Sequence, residues 1–388
     1  MSQSSKSSLR IREVSGKKGT DEFIDVMWKI YDQKTFPQWV PPLRMSVYEN
    51  LDTQKNPFYK RAQIQLFIAE KDGKPVGRIA AIDNQGHNEF HNERTGFYGF
   101  FESIDDQAVA DLLFKTAEEW LMARGLNKMM GPMNPSTNHE CGLLVRGQSK
   151  HPTLMTTWNP KYYETLHDRY GLTKAKDLVA YIIARERNSE LPPKVVSYVK
   201  RLREKNSRVT FRDFDLKNFK NEVKNCFEIY NSAWEKNWGF FPMTAEEFDF
   251  AAKDMKMILD PRMAFVAEVD GKPAGFMLAI PDLNHVFKRI PDGRLFPTGI
   301  FKLLLGKKRV AMTRIVTLGV KPEFRGSGIF ALFTFEAFER AHKYGYLAGE
   351  ASWILEDNIA MNKPWTDLGA PQYRRWRIYE KPLKASHE

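Results

Sequence analysis

The pattern of apolar and polar positions repeats once along the chain. Phe67 to Ile82 reads FIAEKDGKPVGRIAAI and Phe265 to Ile280 reads FVAEVDGKPAGFMLAI; ten of the sixteen positions are identical. In each copy two apolar runs flank Asp-Gly, the signature of a strand, a tight turn and a returning strand. Such a turn needs positive φ, which places Gly73 and Gly271 at its corner.

The flanks repeat as well. Leu9–Val14 and Val209–Phe214 read as strands, and Glu22–Tyr31 and Phe219–Trp234 as helices, each pair ahead of its hairpin. A further strand follows each hairpin, then an amphipathic helix over about 107–124 and about 328–344. Each of these helices closes on a glycine, Gly125 or Gly345, as helix C-termini commonly do. Strands at Lys128–Met133 and Leu347–Ile354 come next, then more helix and strand. The order β-α-β-β-β-α-β-α-β, met twice, predicts an α/β (α+β) chain of two tandem domains, residues 1–190 and 191–388. Each would be a mixed, mostly antiparallel sheet covered by helices. The join falls in RERNSELPP, and Pro193–Asn206 then reads as a basic helix whose charges are first of all a solvated connector. Two segments break the symmetry: the polar, turn-rich Gly131–Gly147, and the insert Pro281–Ala311, which is basic and apolar together.

A chain of 388 residues has room for two or three domains. Its net charge of +11 favours an anionic partner, whether nucleic acid, anionic lipid or a polyphosphate cofactor, without choosing among them. The two cysteines, Cys141 and Cys226, form no CxxC pattern. No disulfide framework and no metal site is expected, which suits a reducing compartment. Met1–Ser8 lacks the apolar core of a secretory signal, and no apolar run reaches bilayer-spanning length. The expectation is a cytoplasmic protein.

The candidate chemistry lies in Arg314–Phe330, RIVTLGVKPEFRGSGIF. A strand ends near Val320, and Gly326 and Gly328 open a helix. Glycines there let backbone N–H groups approach an anion, the helix N-terminus adds its positive dipole end, and Lys321 and Arg325 add charge. This is a pyrophosphate cradle. It is neither a Walker loop, for want of Gly-Lys-Ser/Thr, nor a Rossmann fingerprint, for want of the third glycine. The run resembles motif A of the GNAT superfamily, Arg/Gln-x-x-Gly-x-Gly/Ala, with Arg325, Gly326, Ser327 and Gly328 on its first four places. Phe330 stands on the sixth, where a small residue is usual. Ser352–Gly369, SWILEDNIAMNKPWTDLG, resembles the next GNAT block, with Trp365 where many members carry the Tyr that protonates the leaving thiolate. The resemblance implies an acyl-CoA-dependent N-acyltransferase that uses acetyl-CoA or a longer acyl-CoA, or acyl carrier protein, as donor. Arg325, Gly326, Ser327 and Gly328 would hold the pyrophosphate, and backbone N–H groups near Leu318 and Val320 would polarise the thioester carbonyl. In the first half Asp105 and Asp106 occupy the place of the cradle and would repel a phosphate, so no donor is expected there.

Glu350, on the strand beside Arg314–Val320, is a candidate base for the incoming amine, or else the partner of an ion pair with Arg314. Glu356 and Asp357 stand in reserve. Tyr373 and Tyr379 are candidate acids in place of the missing Tyr. Asn134, Ser136, Asn138 and Glu140 form a polar run that either binds a polar acceptor or satisfies its own backbone. In the insert, Arg294–Arg309 sets Phe301, Leu304 and Leu305 beside Lys302, Lys307, Lys308 and Arg309, which suits an anionic membrane at the inner face or an amphipathic helix packed on the sheet. The chain as a whole resembles bacterial long-chain acyltransferases of the ceramide-synthase type, which implies a lipid or sphingoid-type amine as acceptor. Nucleic acid is not expected as a partner. Two other readings remain: a Fem-type aminoacyl-tRNA-dependent transferase, and a binding or DNA-contacting module without catalysis.

Overall fold

Both Asp-Gly turns fold as the sequence reads. Asp72 and Gly73 take φ of 53° and 76°, and Asp270 and Gly271 take 51° and 72°, the two left-handed corners of a two-residue hairpin. Each hairpin also carries a bulge at the same place, between Ala69 and Glu70 in one and between Ala267 and Glu268 in the other. The structure is a computed structural model that describes residues 8–184, 193–326 and 328–384.

The chain packs into two compact units. The first holds Met1–Asp177, Phe287–Gly299 and Trp376–Glu388; the second holds Leu178–Val286 and Ile300–Arg375. The boundary read at 190/191 lies outside the described residues.

In the first unit β1 (Leu9–Val14), β2 (Ala62–Lys71), β3 (Lys74–Asn84) and β4 (Thr95–Ser103) pair antiparallel in sequence order. β5 (Lys128–Gly131) then pairs parallel with β4. The far side of β5 is taken by Tyr379–Pro382, from the end of the chain. Helix α1 (Gly16–Ile30) precedes β2, and α2 (Arg44–Leu51) and α3 (Gln85–His91) are short. Helix α4 (Gln107–Met122) buries Val109, Leu113, Phe114, Ala117 and Leu121 against the sheet. The spacing of these residues is that of one helical face. After β5 come the two-residue strands β6 (Met133–Asn134) and β7 (Glu140–Cys141), then β8 (Leu143–Arg146), α5 (Tyr162–Arg169) and β9 (Thr173–Ala184).

The second unit repeats the plan. It contains α6 (Pro193–Lys205), β10 (Val209–Asp213), α7 (Phe219–Trp234), α8 (Ala245–Ile258), the hairpin β11 (Ala264–Val269) and β12 (Lys272–Pro281), and the helices α9 (Asn284–Phe287) and α10 (Gly299–Lys307) of the insert. β13 (Met312–Val320), α11 (Ile329–Lys343), β14 (Ala348–Leu355), α12 (Ile359–Asp367) and β15 (Gln372–Pro382) complete it. Its sheet runs from the end of β9 through β14, β13, β12 and β11 to β10. The chain crosses between the units inside β9, at the end of α9, at the start of α10 and inside β15. Helix α6 is no free connector. Val199 is buried, and Arg203 pairs with Glu336 at 3.3 Å and Glu339 at 2.8 Å, so α6 is docked on α11.

One buried group gives the first unit a pH dependence. His167 of α5 is fully buried; its Nδ1 lies 2.7 Å from the Tyr163 carbonyl, and its Nε2 has no hydrogen-bond partner among the described residues. Burial pushes its pKa down to about 3, and the Tyr163 carbonyl only partly opposes that. An unfolded histidine titrates near about 6.5. Below that pH the unfolded chain binds a proton that the folded chain refuses, so stability falls as pH drops from about 6.5 to about 3. Urea midpoints across that range should fall with pH, and more shallowly in His167→Phe; identical slopes would show that other groups govern the acid limb.

Candidate active site

The second unit contains a fork. β13 and β14 pair parallel from Met312↔Ala348 to Ile315↔Ala351, and among the described residues no pair joins them beyond that point. Both strands are irregular just there. Against β12, Ile315 faces Ala279 and Thr317 faces Leu278, so Val316 is one residue too many, a bulge that bends β13. Against β9, the register of β14 shifts between Ala351 and Ile354. The result is a stretch of β13, Val316–Val320, whose edge toward β14 is left unpaired. Leu318 is buried there and Val320 half-buried. The Thr317 hydroxyl is buried with no hydrogen-bond partner among the described residues. A buried orphan of this kind calls for an explanation, and a bound polar ligand supplies one.

The fork leads to the glycine-rich turn. Beyond β13 comes a single tight turn, Pro322–Phe324, then Arg325, with Gly326 and Gly328 at φ of 79° and 88° before α11 begins at Ile329. Among the described residues, a Cβ at Gly326 would meet nothing within 4 Å, which leaves that side of the backbone open to an approaching group. A Cβ at Gly328 would lie 2.7 Å from Leu202 of α6. Glycine therefore serves both the left-handed corner and the close approach of α6. Exposed Arg325 donates from Nη2 to the Ala233 carbonyl of α7 at 2.6 Å, which holds its guanidinium beside the turn. Ser327 lies outside the described residues. Phe330, large where the motif is usually small, turns its half-buried ring onto the core cluster of Phe265 and Phe333.

The first unit has the same fork and has filled it. β4 and β5 pair from Thr95↔Lys128 to Phe97↔Met130 and then part. The chain doubles back into the gap as β6. A Cβ at Gly99 would sit 1.6 Å from the Met133 carbonyl oxygen, and Asn134 Oδ1 accepts the Phe100 N–H at 2.6 Å. At the helix mouth, Asp106 caps α4, accepting the Ala108 N–H at 3.0 Å and pairing with Lys71 at 2.8 Å. Lys71 is the main reason its carboxyl lies below the usual range. A carboxylate thus takes the place that a phosphate would need; Asp105 beside it is exposed. The rest of the polar run closes on itself. Ser136 Oγ lies 2.8 Å from His139 Nδ1 and accepts the Asn138 N–H at 3.2 Å, while Glu140 pairs with Asn134 across β6 and β7.

Glu350 and Tyr373 come together in the second unit. Glu350 is fully buried on β14 and accepts hydrogen bonds from the Ser352 hydroxyl, the Tyr373 hydroxyl and Arg374 Nη1, the last at 3.2 Å. Arg314 Nε lies 3.8 Å from its other oxygen and donates to Ser352 Oγ at 2.8 Å. Both guanidiniums are 2% exposed. One buried carboxylate thus answers two buried cations, the ion pair foreseen with Arg314 and a second with Arg374. Burial first, then the charge of Glu350, pushes the Tyr373 phenol far above its ordinary value. It stays protonated throughout the working range and is half-buried rather than sealed. Trp365 is buried, and its indole N–H has no partner among the described residues. Glu356 lies 3.5 Å from Arg375. Tyr379 belongs to the first unit, its ring 5.1 Å from His167.

Sequence reading missed the second arginine, Ser352 and the orphan hydroxyl of Thr317. Strand alternation could have put Ser352 and Glu350 on one face, but nothing local marks Thr317. It also missed a buried group in the first unit. There Glu102 accepts from Tyr31 and Tyr163, lies 3.5 Å from Arg78, and is raised above the usual carboxylate range chiefly by burial.

No known family model matches the chain. It is 36% identical over 354 residues to the bacterial ceramide synthase of Caulobacter vibrioides (strain NA1000 / CB15N), covering 89% of this chain and 91% of that one. It is 34% identical over 353 residues to the protein YghO of Escherichia coli (strain K12), covering 89% of each. Among solved structures it resembles a tandem GNAT protein from the clavulanic acid biosynthesis pathway, at 12% identity and a TM-score of 0.56, over 98% of this chain and 100% of that one. A GCN5-related N-acetyltransferase from Sphaerobacter thermophilus matches at 14% identity and a TM-score of 0.54, over 98% of this chain and 97% of that one. The chain belongs to the family of the bacterial ceramide synthase and YghO, and its fold is that of the tandem GNAT acyltransferases.

Proposed function

We propose that this protein is an acyl-CoA-dependent N-acyltransferase whose second unit binds the donor and whose acceptor is a long-chain, sphingoid-type amine. The observation that carries the reading is the fork of β13 and β14 leading into a glycine-opened helix, kept in the second unit and plugged in the first. The relation to a bacterial ceramide synthase supports the choice of acceptor. Arg325 and the backbone of Gly326, Ser327 and Gly328 take the pyrophosphate, and the Thr317 hydroxyl and the free edge of Leu318–Val320 take the polar groups of the donor's arm. N–H groups on that edge hold the carbonyl oxygen as it gains charge. The amine nitrogen attacks the thioester carbon, the C–N bond forms and the C–S bond breaks. The amine's surplus proton passes to the Tyr373 oxygen as Tyr373 gives its own proton to Glu350, and the thiolate is protonated from solvent. Asn134, Ser136, Asn138 and Glu140 are retained as acceptor contacts only in the sense that their hairpin shapes the first unit.

The test is direct. Purified protein is incubated with acetyl-CoA, palmitoyl-CoA or palmitoyl acyl carrier protein and a panel of amines with and without a long chain, and amide and free thiol are followed by mass spectrometry. Amide formed from palmitoyl-CoA and a long-chain amine supports the proposal. Free thiol without amide, or transfer from acyl carrier protein alone, removes it.

A long-chain acceptor resides in membrane, and the insert suits that. No helix among the described residues is long and apolar enough to cross a bilayer. On α10, however, Phe301, Leu304 and Leu305 are 65%, 60% and 74% exposed, beside Lys302 and Lys308. Their exposure disfavours the reading of a helix packed on the sheet. Phe301→Glu with Leu304→Glu should lower co-sedimentation with phosphatidylglycerol-containing vesicles by roughly tenfold or more, leave the melting transition in place, and leave wild-type binding weakened by salt. Unchanged sedimentation would remove the membrane contact.

A further inference from the structure

Beside the paired part of β13 and β14, reaching up to the base of the fork, lies a cavity that the pyrophosphate turn does not account for. It lies wholly within the second unit and opens to solvent at its mouth. Its walls are mostly carbon: Met263, Ala279, Ala337, Phe338 and Ala341 line it, together with Ile315 and Ala351. Those last two are the final pair that joins β13 to β14. The cavity therefore begins where the fork begins, and Glu350 stands in its wall.

The first unit shows why the space exists. The two closing glycines set the register between the repeats. The Leu126 N–H reaches back to the Leu121 carbonyl at 3.3 Å, and the Tyr346 N–H reaches back to the Ala341 carbonyl at 2.9 Å. The Asn127 N–H meets the Arg94 carbonyl at 2.9 Å, and the Leu347 N–H meets the Ala311 carbonyl at 2.7 Å. In this register Phe114, Leu121 and Met129, all fully buried in the first unit, correspond to Thr334, Ala341 and Gly349 in the second. Three large side chains that fill the first unit have become three small ones around the cavity of the second. Apolar space left open costs stability, and a dry apolar cavity takes apolar guests.

We propose that this cavity houses the alkyl chain of the acyl donor and sets the chain length that the protein transfers; the inference rests on the acyl-transfer reading above. A linear saturated chain needs a wall of carbon that starts at the thioester. The fork supplies that start, and the exchange of large for small residues supplies the room. Thr313, Thr334, His342 and Glu350 add a few polar groups to a lining that is otherwise carbon, the balance an alkyl chain ending at a polar thioester needs.

The test refills the cavity with the first unit's residues. Among the described residues a Cβ at Gly349 would find only Thr313 Oγ1, at 3.6 Å, so a side chain can grow there. Ala341→Leu with Gly349→Met is assayed against acyl-CoAs from two to eighteen carbons, and binding of palmitoyl-CoA and of CoA alone is measured by calorimetry. We expect kcat/KM for palmitoyl-CoA to fall roughly 100-fold while that for butyryl-CoA stays within about threefold, since a pocket that loses room discriminates by chain. Palmitoyl-CoA should also lose its affinity advantage over CoA. An equal loss at every chain length, or no loss with palmitoyl-CoA, overturns the proposal. If the double variant does not fold, Ala341→Val takes its place, with the preferred chain shortened; an unshifted preference then overturns it. Wild-type protein that transfers no acyl group yet binds palmitoyl-CoA through this cavity would sink the proposed function and leave the cavity's role standing. Transfer with a chain-length profile untouched by the variants would do the reverse.

Discussion

Glu350→Ala should unfold the second unit before it slows any chemistry. The side chain is fully buried between Arg314 and Arg374, each 2% exposed, and it also accepts from Ser352 and Tyr373. Removing one partner of a buried ion cluster leaves the rest uncompensated in a medium that cannot solvate them, at a cost of about 3–5 kcal/mol. That is a large share of the net stability of an ordinary domain. Urea denaturation should show the midpoint of the second unit collapsing. Tyr373→Phe removes one hydroxyl donor from that carboxylate and leaves both arginines paired, so it should lower the midpoint by less, at a cost of about 1.5–3 kcal/mol. If Tyr373 relays the amine's proton to Glu350, the same variant should lose roughly 100-fold in kcat, the lower end of what positioned proton transfer contributes. The loss should shrink as pH rises, because the free amine then accumulates without help. A Tyr373→Phe enzyme with normal kcat at neutral pH would strike Tyr373 from the mechanism. A stable Glu350→Ala protein would show the arginines to be solvated after all.

What the sequence made legible follows from how local each signal is. The Asp-Gly hairpins, the glycine-closed helices and the glycine-rich turn are set by residues within a few positions of one another, and they stand where the pattern put them. The fork is less local. Its cause is the extra residue at Val316, and a bulge is a matter of register with β12, which no single strand records. The plug of the first unit was open to two readings for a related reason. Asn134, Ser136, Asn138 and Glu140 read equally as acceptor contacts or as a run satisfying its own backbone, because polarity alone does not choose, whereas Gly99, the residue that admits the returning chain, is an ordinary glycine in an apolar strand. Arg374 could not be matched with Glu350 from spacing, because β15 and β14 meet it only through the fold. Chain order also hides that Trp376–Glu388 packs with the first unit.

Arg325→Glu should weaken acyl-CoA binding by at least roughly 100-fold. Arg325 is exposed, so its replacement has little folding to upset; its guanidinium donates a hydrogen bond to the Ala233 carbonyl. Near a protein surface two unit charges about 4 Å apart interact by about 4 kcal/mol. Reversing one of them beside a pyrophosphate turns attraction into repulsion, and the open backbone at Gly326 and the dipole of α11 remain to resist it. A loss of roughly 100-fold is about 2.7 kcal/mol, well inside that allowance once salt screening is counted. The control is Asp106→Ala in the first unit. It removes the cap of α4 and costs about 1 kcal/mol of stability. Donor affinity should not change, because the fork that would receive the donor is filled by Met133 and Asn134. Calorimetry with CoA and palmitoyl-CoA on both variants reads the two outcomes side by side. Equal losses would mean that the first unit takes part in holding the donor, and a loss in Asp106→Ala alone would move the donor site to the first unit altogether.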